Sequence, residues 1–197
     1  MGHAIARAAL KQGHEVVYIA GPVAEEFSKV AGATNLNVVS TLDLLSAVEK
    51  CILPGSILIM AAAPADYRPY HKSPIKLKKT ERPQLNLVPN PDILKSIAEI
   101  NKTLDPPAVL IGFAAETHNA EQYAREKLVA KSLDMIFLND VSKTGVGFAS
   151  MSNEFTIFFK DGKKLDLPLS TKEALGEKII AEITRMLDTK IASMHEQ

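Results

Sequence analysis

The chain of 197 residues has a single cysteine, no net charge and no long apolar run. A lone Cys51 excludes an internal disulfide framework and agrees with a reducing compartment. Lys plus Arg and Asp plus Glu both total 23, so no global field draws the chain toward nucleic acid or an anionic membrane, and any anion site has to be local. The longest apolar stretches, such as 57–65, fall far short of the roughly 20 residues that span a bilayer, and no signal-peptide pattern opens the chain. The expectation is a cytoplasmic protein without nucleic-acid or membrane partners. Familiar chemical signatures are missing too. There is no G-x-x-x-x-G-K-[ST] loop, no paired-cysteine motif and no zinc spacing among His3, His14, His71, His118 and His195. Hydrophobic residues at 46% and charged residues at 23% are ordinary for a globular protein. No internal repeat and no Ser/Gly linker divides the sequence, which reads as one domain over 1–189 with a frayed tail at 190–197.

Helical and strand-like segments alternate. Ile5, Ala8, Ala9 and Leu10 recur at helical spacing ahead of Gly13, which predicts a helix over 1–12. Apolar runs at 15–20, 56–62, 108–114 and 135–139 predict strands. Helices are expected over 42–50 capped by Thr41, over 119–131, and from Asn90-Pro91-Asp92 to about Ile100 with Pro91 at the first helical position. The strands lack the period-2 pattern of a sheet with one wet face, so the pattern predicts a mainly parallel sheet covered on both sides, an α/β three-layer architecture. Asp161-Gly162 between 154–159 and 164–167 predicts a C-terminal antiparallel hairpin, and Ser170-Thr171-Lys172-Glu173 reads as a capping box opening a helix through Leu187. The irregular stretch 64–89 holds Pro64, Pro69, Pro74, Pro83 and Pro89 and reads as a candidate lid, or as an ordinary surface excursion.

Ligands in open parallel sheets bind at the strands' carboxyl ends. There the sequence offers Ala61-Ala62-Ala63 and Asp66 after one strand, Gly112-Phe113-Ala114-Ala115-Glu116-Thr117 after the next, and Asn139-Asp140 after the last. Ala61 and Ala62 are small enough to admit a planar ligand, and equally small enough simply to pack tightly. The Asp66 carboxylate suits a divalent cation or a ribose hydroxyl, or caps a turn. Lys76, Lys78 and Lys79 cluster between prolines, and Lys127 and Lys131 share a helix face. These five ammonium groups either close on an anion or are solvated surface. Asn90-Pro91-Asp92-Ile93 is a helix start whose exposed amides also suit a base or an anion. Tyr123 and Lys127 match the Tyr-x-x-x-Lys of short-chain dehydrogenases, a four-letter pattern that leaves an NAD(P)-dependent oxidoreductase as a minor alternative.

In order along the chain, Met1-Gly2, Ala20-Gly21-Pro22, Ala61-Ala62-x-x-Ala65-Asp66-Tyr67-Arg68-Pro69, Lys76-x-Lys78-Lys79, Asn90-Pro91-Asp92-Ile93, Gly112-Phe113-Ala114-Ala115-Glu116-Thr117 and Asn139-Asp140-Val141 resemble the phosphopantothenate–cysteine ligase family of coenzyme A biosynthesis. The match is most similar to the bacterial ligase domain often fused to an FMN-dependent phosphopantothenoylcysteine decarboxylase. The resemblance implies a Rossmann-like fold, a homodimer and a flap. It implies a reaction in which CTP, with magnesium, activates 4'-phosphopantothenate as an acyl-cytidylate before cysteine displaces CMP. It further implies that Ala61, Ala62, Asn90, Pro91, Asp92, Ile93 and Phe113 contact the nucleotide and that Asp66 meets CTP or magnesium. By the same resemblance Lys76, with Asp66, is catalytic and faces the phosphates, Lys127 and Lys131 reach the triphosphate, and Lys78 and Lys79 belong to the flap. FMN is implied only through a decarboxylase partner. Family members carry a strand, a glycine-containing turn and an Asn-x-Ser-Ser-Gly-Lys segment ahead of the Met-Gly, so the resemblance implies a form shortened at its amino end. A non-catalytic CTP-binding or dimerisation module of the same fold is the alternative.

Overall fold

The computed structural model describes residues 1–71, 73–76, 78, 84–140 and 152–195. Helix α1 (Gly2–Lys11) is followed by Gly13 at φ 84°, a left-handed turn that glycine adopts at little cost. Strand β1 (Val17–Ala20), a 3-10 turn at Glu25–Phe27 and β2 (Thr34–Asn37) come next. Then follow α2 (Thr41–Cys51), β3 (Ile57–Met60), β4 (Tyr67–Pro69), β5 (Leu87–Pro89) and α3 (Ile93–Asn101). The remainder is β6 (Val109–Glu116), α4 (Ala120–Ala130), β7 (Met135–Asp140), β8 (Ser152–Phe159), β9 (Lys164–Thr171) and α5 (Lys172–His195).

The central sheet has five strands in the order β3-β6-β7-β8-β9. Its first three strands are parallel, and the β8–β9 hairpin continues it antiparallel. This is the mostly parallel α/β sheet with a terminal hairpin that the strand–helix alternation predicted. Successive β6 residues point to opposite faces, and both faces are buried. Leu110 meets Ile97, Leu133 and Ile136 beneath α2, α3 and α4, while Ile111 meets Met135, Ile157 and Ile179 beneath α1 and α5. Arg125 of α4 and Lys164 of β9 both lie over the Phe158 ring and both bind Glu121. These two cations, Lys164 first, hold the Glu121 carboxyl below its usual range.

Several local expectations are corrected. Ser40, not Thr41, caps α2. Its hydroxyl accepts from the Asp43 N–H at 3.1 Å while the Asp43 carboxylate accepts from the Ser40 N–H at 2.9 Å, a reciprocal box that needs the residue three before the acid. Pro91 lies outside α3, because the Asp92 carboxylate accepts from the Lys95 N–H at 3.2 Å and so becomes the cap itself. The Ser170–Glu173 box does not form. Thr171 accepts from the Ala174 N–H at 3.3 Å, and the Ser170 hydroxyl donates to the Pro168 carbonyl instead. Helix α5 runs past Leu187 to His195, through most of the segment read as tail. Strand β2 was not foreseen. It pairs in parallel with β1 as a separate two-stranded sheet. The 64–89 stretch is not wholly irregular either, since β4 and β5 pair antiparallel into an arm.

Helices α1 and α5 cross where side chains are smallest. A Cβ on Gly176 would lie 2.7 Å from the backbone oxygen of Ala4, closer than any relaxed contact. Gly176→Ala is therefore expected to destabilise the fold by about 1–3 kcal/mol through forced separation of the helices, measured as a lowered urea midpoint.

Candidate functional site at the carboxyl edge of the sheet

The site begins with a mismatch of strand length. β3 pairs with β6 only over Ile57–Met60 against Val109–Gly112, whereas β6 runs on beside β7 to Glu116. After Met60 the chain leaves as Ala61-Ala62-Ala63, so Phe113 to Glu116 keep one open side. Polar groups collect there on both faces of the sheet.

On the α3/α4 face a cleft of about 360 Å³ is lined by Asp92, Lys95, Glu116, Tyr123, Lys127 and Lys131 among others. Lys127 and Lys131 project from successive turns near the end of α4, as their spacing predicted. Neither ammonium is free of a counter-charge. Lys127 is bound to Glu116, and Lys131 lies 3.0 Å from the Asp92 carboxylate. Partly solvated lysine–carboxylate pairs of this kind are weak, on the order of 1 kcal/mol, so an incoming polyanion can exchange with the carboxylates at small cost.

Asn90 ties this cleft to the arm. Its backbone N–H donates to the Asp66 carbonyl at 2.7 Å, its side-chain N–H donates to the Ala65 carbonyl at 2.8 Å, and its Oδ1 accepts from Arg68 at 3.2 Å. Arg68 also donates to the Pro89 carbonyl at 2.6 Å. The sequence-predicted residues Asp66, Asn90, Pro91, Asp92 and Ile93 thus form one continuous junction ending at Lys131. Ile93 is buried, and its contribution there is backbone and packing. The Asp66 carboxylate is exposed at the base of the arm, and Lys76 and Lys78 are exposed between β4 and β5. Lys79 and Val141 lie outside the described residues. Tyr123 lines the cleft, but its ring lies edge-on to His118, and Lys127 turns to Glu116 rather than to the tyrosine.

On the α1/α5 face a smaller cavity of about 150 Å³ is bounded by Ala61, Ala62, Phe113, Asn139, Asn153 and Lys172, with Met1 also at its wall. Phe113 stacks on Phe137 at 4.9 Å between ring centres and meets Phe155 edge-on at 5.5 Å, which gives the cavity a rigid aromatic floor. Burial, reinforced by Lys172, lowers the pKa of the Met1 amino group. Ala61, Ala62 and Phe113 were expected at a binding site and line this cavity. Asn153 and Lys172 were not foreseen. Their only local signals are an amide where the β8 ladder shifts register and a lysine at the first position of a helix.

An open, mainly parallel α/β sheet with polar groups gathered at its carboxyl edge defines a small-molecule-binding protein of the doubly wound class. Within that class the chain belongs to the DNA/pantothenate metabolism flavoprotein C-terminal domain family, whose pattern matches residues 1–187. It is 40% identical over 190 residues to the coenzyme A biosynthesis bifunctional protein CoaBC of Vibrio parahaemolyticus, covering 95% of this chain and 46% of that protein. It is 41% identical over 187 residues to the protein of the same name from Bacillus subtilis, covering 94% and 45%. The chain spans a little under half the length of these curated relatives. A crystal structure of the C-terminal domain of a CoaBC protein superposes with a TM-score of 0.74 at 34% identity, covering 95% of this chain and 82% of that one. Among the described residues no helix is long and apolar enough to cross a membrane.

Asn90→Ala is expected to loosen the arm without unfolding the protein. Loss of these hydrogen bonds, about 1 kcal/mol in net effect, should speed amide exchange in peptides covering 65–70 roughly fivefold, read by hydrogen-exchange mass spectrometry, with little change elsewhere.

Proposed function

We propose that the chain is the ligase unit of coenzyme A biosynthesis. It uses CTP and magnesium to join 4'-phosphopantothenate to cysteine, in the cytoplasm and as a homodimer. A carboxylate oxygen of phosphopantothenate attacks the α-phosphorus of CTP and pyrophosphate leaves. The cysteine amine then attacks the acyl carbon, CMP leaves, and the amine gives up a proton as the amide forms. The observation that carries this reading is the pair of α4 lysines, Lys127 and Lys131, standing with the Asn90–Asp92 junction on the carboxyl edge of the sheet. Phosphoryl transfer needs cations at the transferring and departing oxygens, and weakly paired lysines supply them without a strongly basic chain.

The remaining roles follow the chemistry of the groups. Ala61 and Ala62 leave room beside Phe113 for the reacting centre. Lys76 and Lys78, with Lys79, supply further positive charge from the segment between β4 and β5, and Lys76 neutralises the phosphates. Among the described residues no group of three metal-ligating side chains exists. A single exposed carboxylate nevertheless fits magnesium, which commonly uses one or two protein carboxylates together with substrate phosphates. Asp66 would hold it, and the ion would supply charge neutralisation at the triphosphate. FMN enters only through a decarboxylase unit joined to or partnered with this one.

One observation favours a second reading, a CTP-binding module without turnover. No hydrogen-bonded ladder joins β1 to β3, so the crevice that doubly wound sheets use is interrupted between the two parallel sheets.

CTP with magnesium is expected to raise the melting temperature more than ATP with magnesium does, and Lys76→Ala, Asp66→Ala and Lys131→Met should each remove most of that shift while leaving the ligand-free melting temperature within about 3 °C. Equal shifts from both nucleotides, or none, overturn the reading. Pyrophosphate release on adding phosphopantothenate and cysteine separates the ligase from the binding module.

A further inference from the structure

One cation of the charged cleft has no structural task. Three lysines line that space, Lys127 and Lys131 from α4 and Lys95 from α3. The α4 lysines are bound to Glu116 and Asp92, and the third cleft carboxylate, Glu126, accepts a hydrogen bond from the Gln122 side chain at 2.9 Å. Lys95 differs, because its ammonium has neither an ion pair nor a hydrogen bond among the described residues. Its place is also a poor one for a lysine. Lys95 lies in the first turn of α3, where its backbone N–H donates to the capping Asp92 carboxylate and the positive end of the helix dipole disfavours a cation. At the other end of the same helix Lys102 shows the ordinary arrangement, a cation at the carboxyl terminus bound to Glu99 three residues before it. A lysine that gains nothing from its helix or from a neighbour, yet stands in a cleft already holding two cations, breaks a local rule in the way binding positions do. A bound polyanion turns the mutual repulsion of these ammonium groups into a shared attraction.

The arrangement of the cations sets the class of ligand. Lys127 and Lys131 stand one turn apart on one helix and serve one end of a ligand together. Lys95 comes from the other helix, and the Asp92–Lys131 pair at the start of α3 joins the two walls into one space of about 360 Å³. A single phosphate group has few oxygens to share between two walls, whereas a chain of two or three phosphates spans them. We propose that Lys95 is a specificity-determining residue of this cleft, the ammonium that engages the distal phosphates of a polyphosphate and so separates a nucleoside triphosphate from a nucleoside monophosphate. In the ligase reaction CTP enters and CMP leaves, and a cation on the distal phosphates holds the first and has no hold on the second. The assignment rests on the ligase reading for the identity of the nucleotide, and on the cleft alone for the polyphosphate.

The test is calorimetric titration of the 197-residue chain with CTP, ATP, CMP and inorganic tripolyphosphate, each with magnesium, for wild type, Lys95→Met, Lys95→Arg and Lys102→Met. Lys95→Met should weaken CTP and tripolyphosphate about tenfold, the scale of one lost charge-assisted contact, and leave CMP within about twofold. Lys95→Arg keeps the charge and should stay within about threefold of wild type for every ligand. Lys102→Met removes a charge from the far end of the same helix and should change none of them. In the absence of ligand Lys95→Met should melt at or above the wild-type temperature, because it takes a cation away from a helix amino end. A merely structural role for Lys95 predicts the opposite, a lowered melting temperature. Equal losses for CTP and CMP, the same loss in Lys102→Met, or no binding of either polyphosphate by the wild type each overturns the assignment. Unchanged CTP affinity in Lys95→Met also overturns it, and leaves the nucleotide reading standing. Selective loss of tripolyphosphate in a chain that binds CTP no better than ATP upholds Lys95 and overturns the nucleotide reading alone.

Discussion

The whole site depends on β6 outrunning β3. A parallel strand buried on both faces must be apolar along its paired length, and β6 obeys this from Val109 to Gly112, where β3 accompanies it. Beyond Gly112 only β7 pairs with it, and the composition changes to a half-exposed Phe113, two alanines and Glu116. Had β3 continued, it would pair with Phe113 to Glu116 and close the open side of β6. By ending at Met60 and leaving through three alanines, it exposes Glu116 to Lys127 and the face of Phe113 to the cavity beneath α1. The opening at the edge is thus a consequence of where one ladder stops, and the helices on each side decide which charges face it.

Those charges explain how a chain with no net charge can hold an anion site. The two α4-end lysines of the cleft are each matched by a carboxylate, Lys127 by Glu116 and Lys131 by Asp92, and Asp92 simultaneously caps α3. The pairs keep the ligand-free edge from self-repulsion and contribute little to stability, because they are partly solvated. A polyanion that reached both lysines together would carry more charge than either carboxylate, and exchange would then favour it. Full burial of these pairs would have reversed that balance, since breaking a buried pair strands a charge. Partial exposure is what leaves the site switchable.

Much of this was legible before any fold was seen. The apolar runs and the alanine-rich strand end each carry a local cause, and local causes are visible in sequence. What was not legible is non-local. β2 reads Thr34-Asn35-Leu36-Asn37, a poor strand by composition, and it forms because it lies beside β1 and because the Asn35 side chain binds Val30 and Ala33 around the preceding turn. The arm hides behind its prolines, and its two ends meet through the β4–β5 ladder and the Asn90 contacts to Ala65, Asp66 and Arg68, partners more than twenty residues apart. Asn90 looked like a cap because Asn is a good one. Asp92 takes that task because it stands at the right offset, which frees the Asn90 side chain to hold Ala65 and Arg68. Asn153 was invisible for the same reason. An asparagine in an alternating strand reads as solvent-facing until the register shift and the ladder to Ser170 place it inward.

The two faces of the edge therefore divide the chemistry by polarity. Charged groups stand over α3 and α4, where the helix surface is wet and paired ions cost little. Beneath α1 and α5 the buried amides of Asn139 and Asn153 line a smaller cavity beside Phe113 and Phe155, with Lys172 at its wall. A reaction that moves a phosphoryl-type group onto an organic acid needs both environments within one bond length of each other. One reactant is a polyanion that wants exchangeable cations, and the other is an activated acyl group that must be kept from water. A sheet edge one strand thick is the shortest partition that a protein can place between two such environments. At that edge Gly2 packs close to Ala61 and Tyr18, where a Cβ would lie 3.7 Å from the Ala61 Cβ and 3.9 Å from the Tyr18 ring, so small side chains line the cavity beneath α1.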